Sequence, residues 1–192
     1  MPITPLRLIG LLWLLWGAYW WIASIGRPPA RRRQPALERV AHVALMGVGF
    51  VLFYAEDPRF GLLDARFLPW RPVEPYLGIA LTAAGIALAV WARLHLGRNW
   101  SAEVTIREDH RLIRTGPYAR IRHPIYTGIL LALLGTAVAI DEFRAIAGFA
   151  VITLGFTLKA RREESFLAEE FPGAFEEHRR RTGFLLPHVG PR

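Results

Sequence analysis

Apolar residues fall into five blocks: Leu8 to Ile25, Val40 to Ala55, Tyr76 to Leu96, Ile125 to Ile140, and Phe143 to Leu158. Polar and charged residues are gathered between them. A helix needs about 20 residues to cross the hydrocarbon core of a bilayer, so the pattern predicts an all-α integral membrane protein with five transmembrane helices. The second, fourth and fifth blocks are short and complete their span with flanking residues or by tilting little. Asp141-Glu142 is the tightest turn between two spans. Residues 1–192 read as one domain, with two N-terminal helices and their loops in 1–75 and three helices with the chemistry-bearing segments in 76–192. The first block resembles a signal peptide in having Arg7 before an apolar run. Its four Trp, the lack of a small-x-small cleavage site and the stop-transfer cluster Arg31-Arg32-Arg33 favour a retained helix.

Charge adds an orientation. Five Arg and one Glu lie between Arg27 and Arg39, whereas Glu56 to Pro75 holds three Arg and four acids. Arg is dense again from Ala92 to Arg122 and beyond Lys159. The positive-inside rule then puts the N-terminus outside and the three Arg-rich segments in the cytoplasm. The net charge of +8 therefore belongs to membrane-facing loops, where anionic lipid attracts it, and does not indicate a nucleic acid partner. With no Cys in the chain, disulfides, thiolate nucleophiles and Cys-based metal sites are excluded. His95, His110, His123 and His178 lack the spacing of a metal-ligand set, so no metal is expected. Nothing in the sequence sets the oligomeric state.

The three cytoplasmic segments carry the candidate chemistry. Arg27 to Arg39, with Pro28-Pro29 and Pro35, reads as an irregular basic linker. Arg93 to Arg122 includes a strand-like alternation at Glu103 to Arg107 and a turn at Glu108-Asp109-His110. Lys159 to Arg181 continues the fifth helix as a charged helical pattern, broken at Pro172-Gly173. At the end of the second segment, Gly116-Pro117-Tyr118-Ala119-Arg120-Ile121-Arg122-His123-Pro124-Ile125-Tyr126-Thr127-Gly128 leads into the fourth span. Pro124 suits the first position of a helix, which pushes His123 out of the α region to the helix entrance. Unpaired N–H groups of the first turn make an anion-seeking end. Gly128, Ala132 and Gly135 form a small-residue stripe of the kind that packs membrane helices. For Gly135 packing is the preferred account, and for Gly128 close approach of a flat ligand is an equal alternative. His123 alone would read as a capping histidine. Arg93, at the end of the third span, would by default snorkel to the interface.

Gly-Pro-Tyr followed by Arg-His-Pro-x-Tyr-x-Gly, together with Arg161-Arg162-Glu163-Glu164, resembles the isoprenylcysteine carboxyl methyltransferase and phospholipid methyltransferase superfamily. The resemblance runs from about Ala92 to Pro187. It implies S-adenosylmethionine as cofactor, held by Tyr118, Arg122, His123, Pro124, Tyr126, Gly128, Glu163 and Glu164. Adjacent helical residues point about 100° apart, so one glutamate of the pair is expected to face the cofactor directly. The resemblance also implies an acceptor-carboxylate anchor at Arg93 with Arg161 or Arg162, and a lipophilic acceptor drawn from the bilayer, most simply a prenylcysteine. The site would face the cytoplasm across a prokaryotic inner membrane. Amine-headgroup lipid methylation, an NADPH-dependent sterol-type reductase and a non-catalytic lipid-binding protein are the rival expectations. One departure stands out: where relatives carry Phe-Gly-x-x-Tyr-x-x-Tyr, this chain has Phe171-Pro172-Gly173-Ala174-Phe175-Glu176-Glu177-His178, without either phenol.

Overall fold

In the computed structural model each apolar block is a helix: α1 (Pro5–Ile22), α2 (Ala36–Tyr54), α3 (Glu74–Leu96), α4 (Pro124–Ile140) and α5 (Phe143–Glu170), followed by a short α6 (Ala174–Arg181). The structure describes residues 4–25, 36–54, 60–69, 72–97 and 112–188. The segment expected as a strand at Glu103 to Arg107 and the turn at Glu108 to His110 lie outside them, as does most of the basic linker. That linker is shorter than expected, because α2 begins at Ala36 and takes Glu38 and Arg39 into its first turn. Four of the helices are long and apolar enough to cross a bilayer, and α4 is a shorter apolar helix of 17 residues. No strand occurs among the described residues. The chain is an integral membrane protein with about five spans.

Helix ends fall where the local chemistry puts them. Pro124 opens α4, and His123 precedes it at φ −121°, outside the α region as the following proline demands. Asp141 closes α4 in the left-handed region at φ 56°, and Phe143 starts α5 after a two-residue turn. Asp141 is held there by accepting the Leu68 N–H at 2.9 Å and pairing with Arg66. At the other end of α5 the helix breaks at Pro172-Gly173, where Gly173 takes φ +79°.

Two antiparallel pairs build the bundle. The larger joins α3 to α4 through facing small residues. A side chain at Gly128 would meet Ala89 N at 2.5 Å and Gly85 O at 2.6 Å, and one at Gly135 would meet Thr82 N at 2.5 Å and Gly78 O at 2.6 Å. Gly78 and Gly85 face α4 backbone in return. Without a hydrophobic drive between helices in lipid, such close backbone approach is what supplies association. The second pair, α2 with α5, repeats the device at Gly49 and Gly148. Helix α1 lies against α3 and α4. Its Trp13 Nε1–H donates to Thr136 Oγ1 at 3.0 Å, and Trp13, Trp16 and Trp20 form a ladder along one face. This arrangement sets the first turn of α4 beside the far end of α5.

Candidate functional site

The long reach of α5 makes the site. Its apolar run ends near Leu158, but the helix continues to Glu170, so Glu163 and Glu164 are carried past the apolar block to the start of α4. Both carboxylates converge there on one imidazole. His123 Nε2 lies 3.2 Å from Glu164 Oε1, and His123 Nδ1 lies 3.5 Å from Glu163 Oε2. Arg122 Nε–H donates to Glu164 Oε1 at 2.5 Å, and the Tyr126 hydroxyl donates to Glu163. The 100° step between the two glutamates does not separate them, since each long side chain swings to a different ring nitrogen. Tyr126 stacks on His123 with ring centroids 5.6 Å apart and packs on Phe156, with Lys159 Nζ 5.7 Å above its ring. Tyr118 is buried and stacks with His95 of α3, whose Nε2 is 2.8 Å from Thr115 Oγ1.

A second element, invisible in the sequence pattern, holds this segment in place. Beyond α6, residues 182–185 run beside residues 120–127. Arg122 N–H donates to Gly183 O at 2.9 Å, His123 N–H to Phe184 O at 3.3 Å, and Gly183 N–H to Arg120 O at 3.0 Å. Thr127 Oγ1 donates to Leu185 O at 2.6 Å, while the Arg122 guanidinium bonds Thr182 O and Arg179 O. Phe184 meets the His123 ring edge-on at 5.2 Å. Gly183 is required by the tightness of this strap, because a side chain there would collide with Leu186 O. Thr127, Thr182 and Phe184 therefore belong to the site. A glycine and an apolar run directly after the charged α6 were the signal available for the strap.

Protonation follows from this packing. Burial acts to lower the His123 pKa, but the hydrogen bonds and charges of Glu163 and Glu164 outweigh it and hold the imidazole above its ordinary 6.5. A histidine whose pKa is raised on folding contributes stability that is complete below its unfolded pKa and lost as pH rises through the folded value. The thermal unfolding temperature is thus expected to fall on the alkaline side of 6.5, and His123→Gln to flatten that slope. His178 is depressed to about 4, first by burial and then by Arg114 and Arg122, so it stays neutral there and contributes little to the change. A wild-type profile as flat as the variant's would show that the imidazole is uncharged.

The segments just described also match known proteins. Residues 78–169 match the model of the Isoprenylcysteine carboxyl methyltransferase (ICMT) family. A solved structure of the eukaryotic intramembrane Ras methyltransferase ICMT superposes on 97% of this chain and 68% of its own, with a TM-score of 0.58 at 19% identity, which shows the shared fold. Over residues 78–169 the chain is similar to the isoprenylcysteine carboxyl methyltransferase family. Protein-S-isoprenylcysteine O-methyltransferase B of Arabidopsis thaliana is 30% identical over 115 residues, 58% of each chain. Cobalt-zinc-cadmium resistance protein CzcN of Cupriavidus metallidurans is 37% identical over 122 residues, 61% of this chain and 52% of that protein. The matched stretch thus spans little more than half the length of these curated relatives.

Within the stretch common to the superfamily, the structure brings Arg122, His123, Tyr126, Glu163 and Glu164 into one cluster, with Tyr118 beside it and Pro124 opening the helix below. Gly128 stands apart from it. Its open side is filled by α3 backbone, the same environment as Gly135, so helix packing accounts for both. Arg93 is buried rather than snorkelled, with its Nη groups donating to Ala23 O at 3.1 Å and Gly97 O at 3.2 Å and its guanidinium 5.9 Å from the Trp20 ring. Arg162 turns toward α2, where Nε is 3.3 Å from Glu38 and the guanidinium covers Phe166. Arg161 is exposed. Phe175 and His178, at the positions where the resemblance leads one to expect tyrosines, are both buried. Among the described residues no group of His, Asp or Glu is arranged to hold a metal ion.

Proposed function

We propose that this protein is a membrane methyltransferase that uses S-adenosylmethionine to methylate a lipophilic acceptor, most simply the carboxylate of a prenylcysteine-like molecule, at the cytoplasmic interface. The observation that carries this is the convergence of Glu163 and Glu164 on His123 and Tyr126. The donor set fits the cofactor: two acidic side chains suit a ligand that offers hydroxyl and ammonium donors and carries a sulfonium. When bound, S-adenosylmethionine supplies a methyl group already activated by its positive sulfur. The chain's own residues then bind, orient and exclude water, which is the larger part of catalysis for such a displacement. A carboxylate acceptor with a pKa near 4 is ionised at neutral pH and needs no base.

Arg93 is the proposed anchor for the acceptor carboxylate. The Ala23 and Gly97 carbonyls are two of the partners that hold it, and a carboxylate is a stronger, bidentate partner for a guanidinium than a carbonyl. Engagement of Arg162 with Glu38 leaves Arg161 as the member of that pair to assist. Titration of the detergent-purified protein with S-adenosylhomocysteine and NADPH should show binding of the first only. Prenylated cysteine analogues, then amine-headgroup lipids, are the acceptors to assay. Arg93→Ala should raise the acceptor KM about tenfold or more, the loss of a charged hydrogen bond, and leave S-adenosylhomocysteine affinity near wild type. Full activity of that variant on the best acceptor found would remove Arg93 from the acceptor site, and NADPH binding would replace the methyltransferase reading with a reductase.

A further inference from the structure

At the end of the bundle remote from His123, a cavity of about 760 Å³ opens where the first half of α1 meets the ends of α2 and α4 and the start of α5. Gly10, Trp13 and Leu14 line one wall, Phe53 another, and Glu142 and Arg144 stand at the polar mouth. Thr136, also in the lining, lies twelve residues along α4 from Pro124, about 18 Å at the helical rise. The lining of α1 from Leu6 to Leu14 extends about 12 Å, close to the depth of one leaflet of a hydrocarbon core of about 30 Å. The volume is in the range of ligand pockets, and its composition, apolar with a few polar groups at one end, is theirs as well.

Three further observations define what fits. Nothing lies within 4 Å of where a side chain at Gly10 would begin, so a large side chain there has room to enter the space. Among the described residues the mouth carries a local excess of negative charge. Arg144 donates to Leu52 O at 3.2 Å and Phe53 O at 2.9 Å, closing the end of α2, and is flanked by two carboxylates, Glu142 and Asp64, the latter at 3.6 Å. Arg7 is exposed one turn before Gly10, on the same face of α1 by the helical period. A cation-seeking mouth with a cation beside it is complementary to a zwitterion.

We propose that this cavity binds one diacyl phospholipid with an amine headgroup. Its acyl chains lie along Gly10, Trp13 and Phe53, its ammonium group meets Glu142 and Asp64, and its phosphate meets Arg7. The site is separate from the cofactor cluster and does not depend on the proposed methyl transfer. Native mass spectrometry of the detergent-purified protein, titrated with phosphatidylethanolamine and with phosphatidylglycerol of the same chains, tests it. One phosphatidylethanolamine should be retained, about fivefold more tightly than phosphatidylglycerol, as expected for one surface charge interaction. Gly10→Trp should fill the cavity and remove the bound lipid, with an unchanged elution volume and melting temperature showing that the fold is kept. Glu142→Gln should still bind lipid but no longer discriminate between the headgroups. Equal binding of the two lipids by the wild type, or a phosphatidylethanolamine retained by folded Gly10→Trp, overturns the proposal.

Discussion

Gly128→Leu is expected to prevent the protein from accumulating in a folded form, and even Gly128→Ala to cost about 3 kcal/mol, the upper part of the range for overpacking. The reason is that the atoms in the way are α3 backbone, at 2.5 and 2.6 Å, and backbone cannot rotate aside as a side chain does. Gly135→Ala should behave in the same manner, because Thr82 N and Gly78 O stand at the same distances. Gly47, also in a membrane helix, has nothing within 4 Å, and Gly47→Leu should be nearly silent. Fluorescence-detected size-exclusion chromatography of the four variants measures this directly. A monodisperse, wild-type-like Gly128→Leu would mean that α3 and α4 do not approach as closely as described.

The second large effect is expected at Glu164. Its carboxylate accepts from Arg122 and faces His123, so Glu164→Gln leaves a mostly buried guanidinium with a poorer acceptor. Hydrogen bonds to charged groups are worth about 1.5–3 kcal/mol, which corresponds to a loss of about 10- to 100-fold in S-adenosylhomocysteine affinity at the proposed cofactor site. Glu163→Gln keeps an oxygen to accept from the Tyr126 hydroxyl and should lose less. Calorimetric titration of both variants ranks them. Unchanged affinity in Glu164→Gln would move the cofactor away from this cluster.

How much of this was legible in the sequence depended on the physical constraint behind each feature. The spans were readable because a bilayer demands a minimum length of apolar residues, and Pro124, Asp141-Glu142 and Pro172-Gly173 marked helix ends through fixed backbone preferences. The pairing of α3 with α4 was only half visible. The stripe Gly128, Ala132, Gly135 was evident, but the facing stripe Gly78, Thr82, Gly85, Ala89 on α3 gained meaning only once the two helices were seen side by side. Arg93 looked like an interfacial arginine because hydropathy cannot show that α1 ends against it. The strap at residues 182–185 left almost no trace, since most of its bonds to the His123 segment are made by backbone, and backbone groups are the same in every residue. The convergence of both glutamates came from side-chain length, which a helical wheel omits.

That strap also imposes an order on assembly. Residues 182–185 follow α5 in the chain, so every membrane helix has been synthesised before the partners of the Arg122 and His123 amides exist. A nascent chain halted after α5 holds the glutamates and the histidine, yet the backbone rail that aligns them is missing. Biogenesis therefore separates into insertion, which lipid solvation of the apolar helices drives, and a later zippering in the aqueous boundary that turns an inserted bundle into one with a formed site.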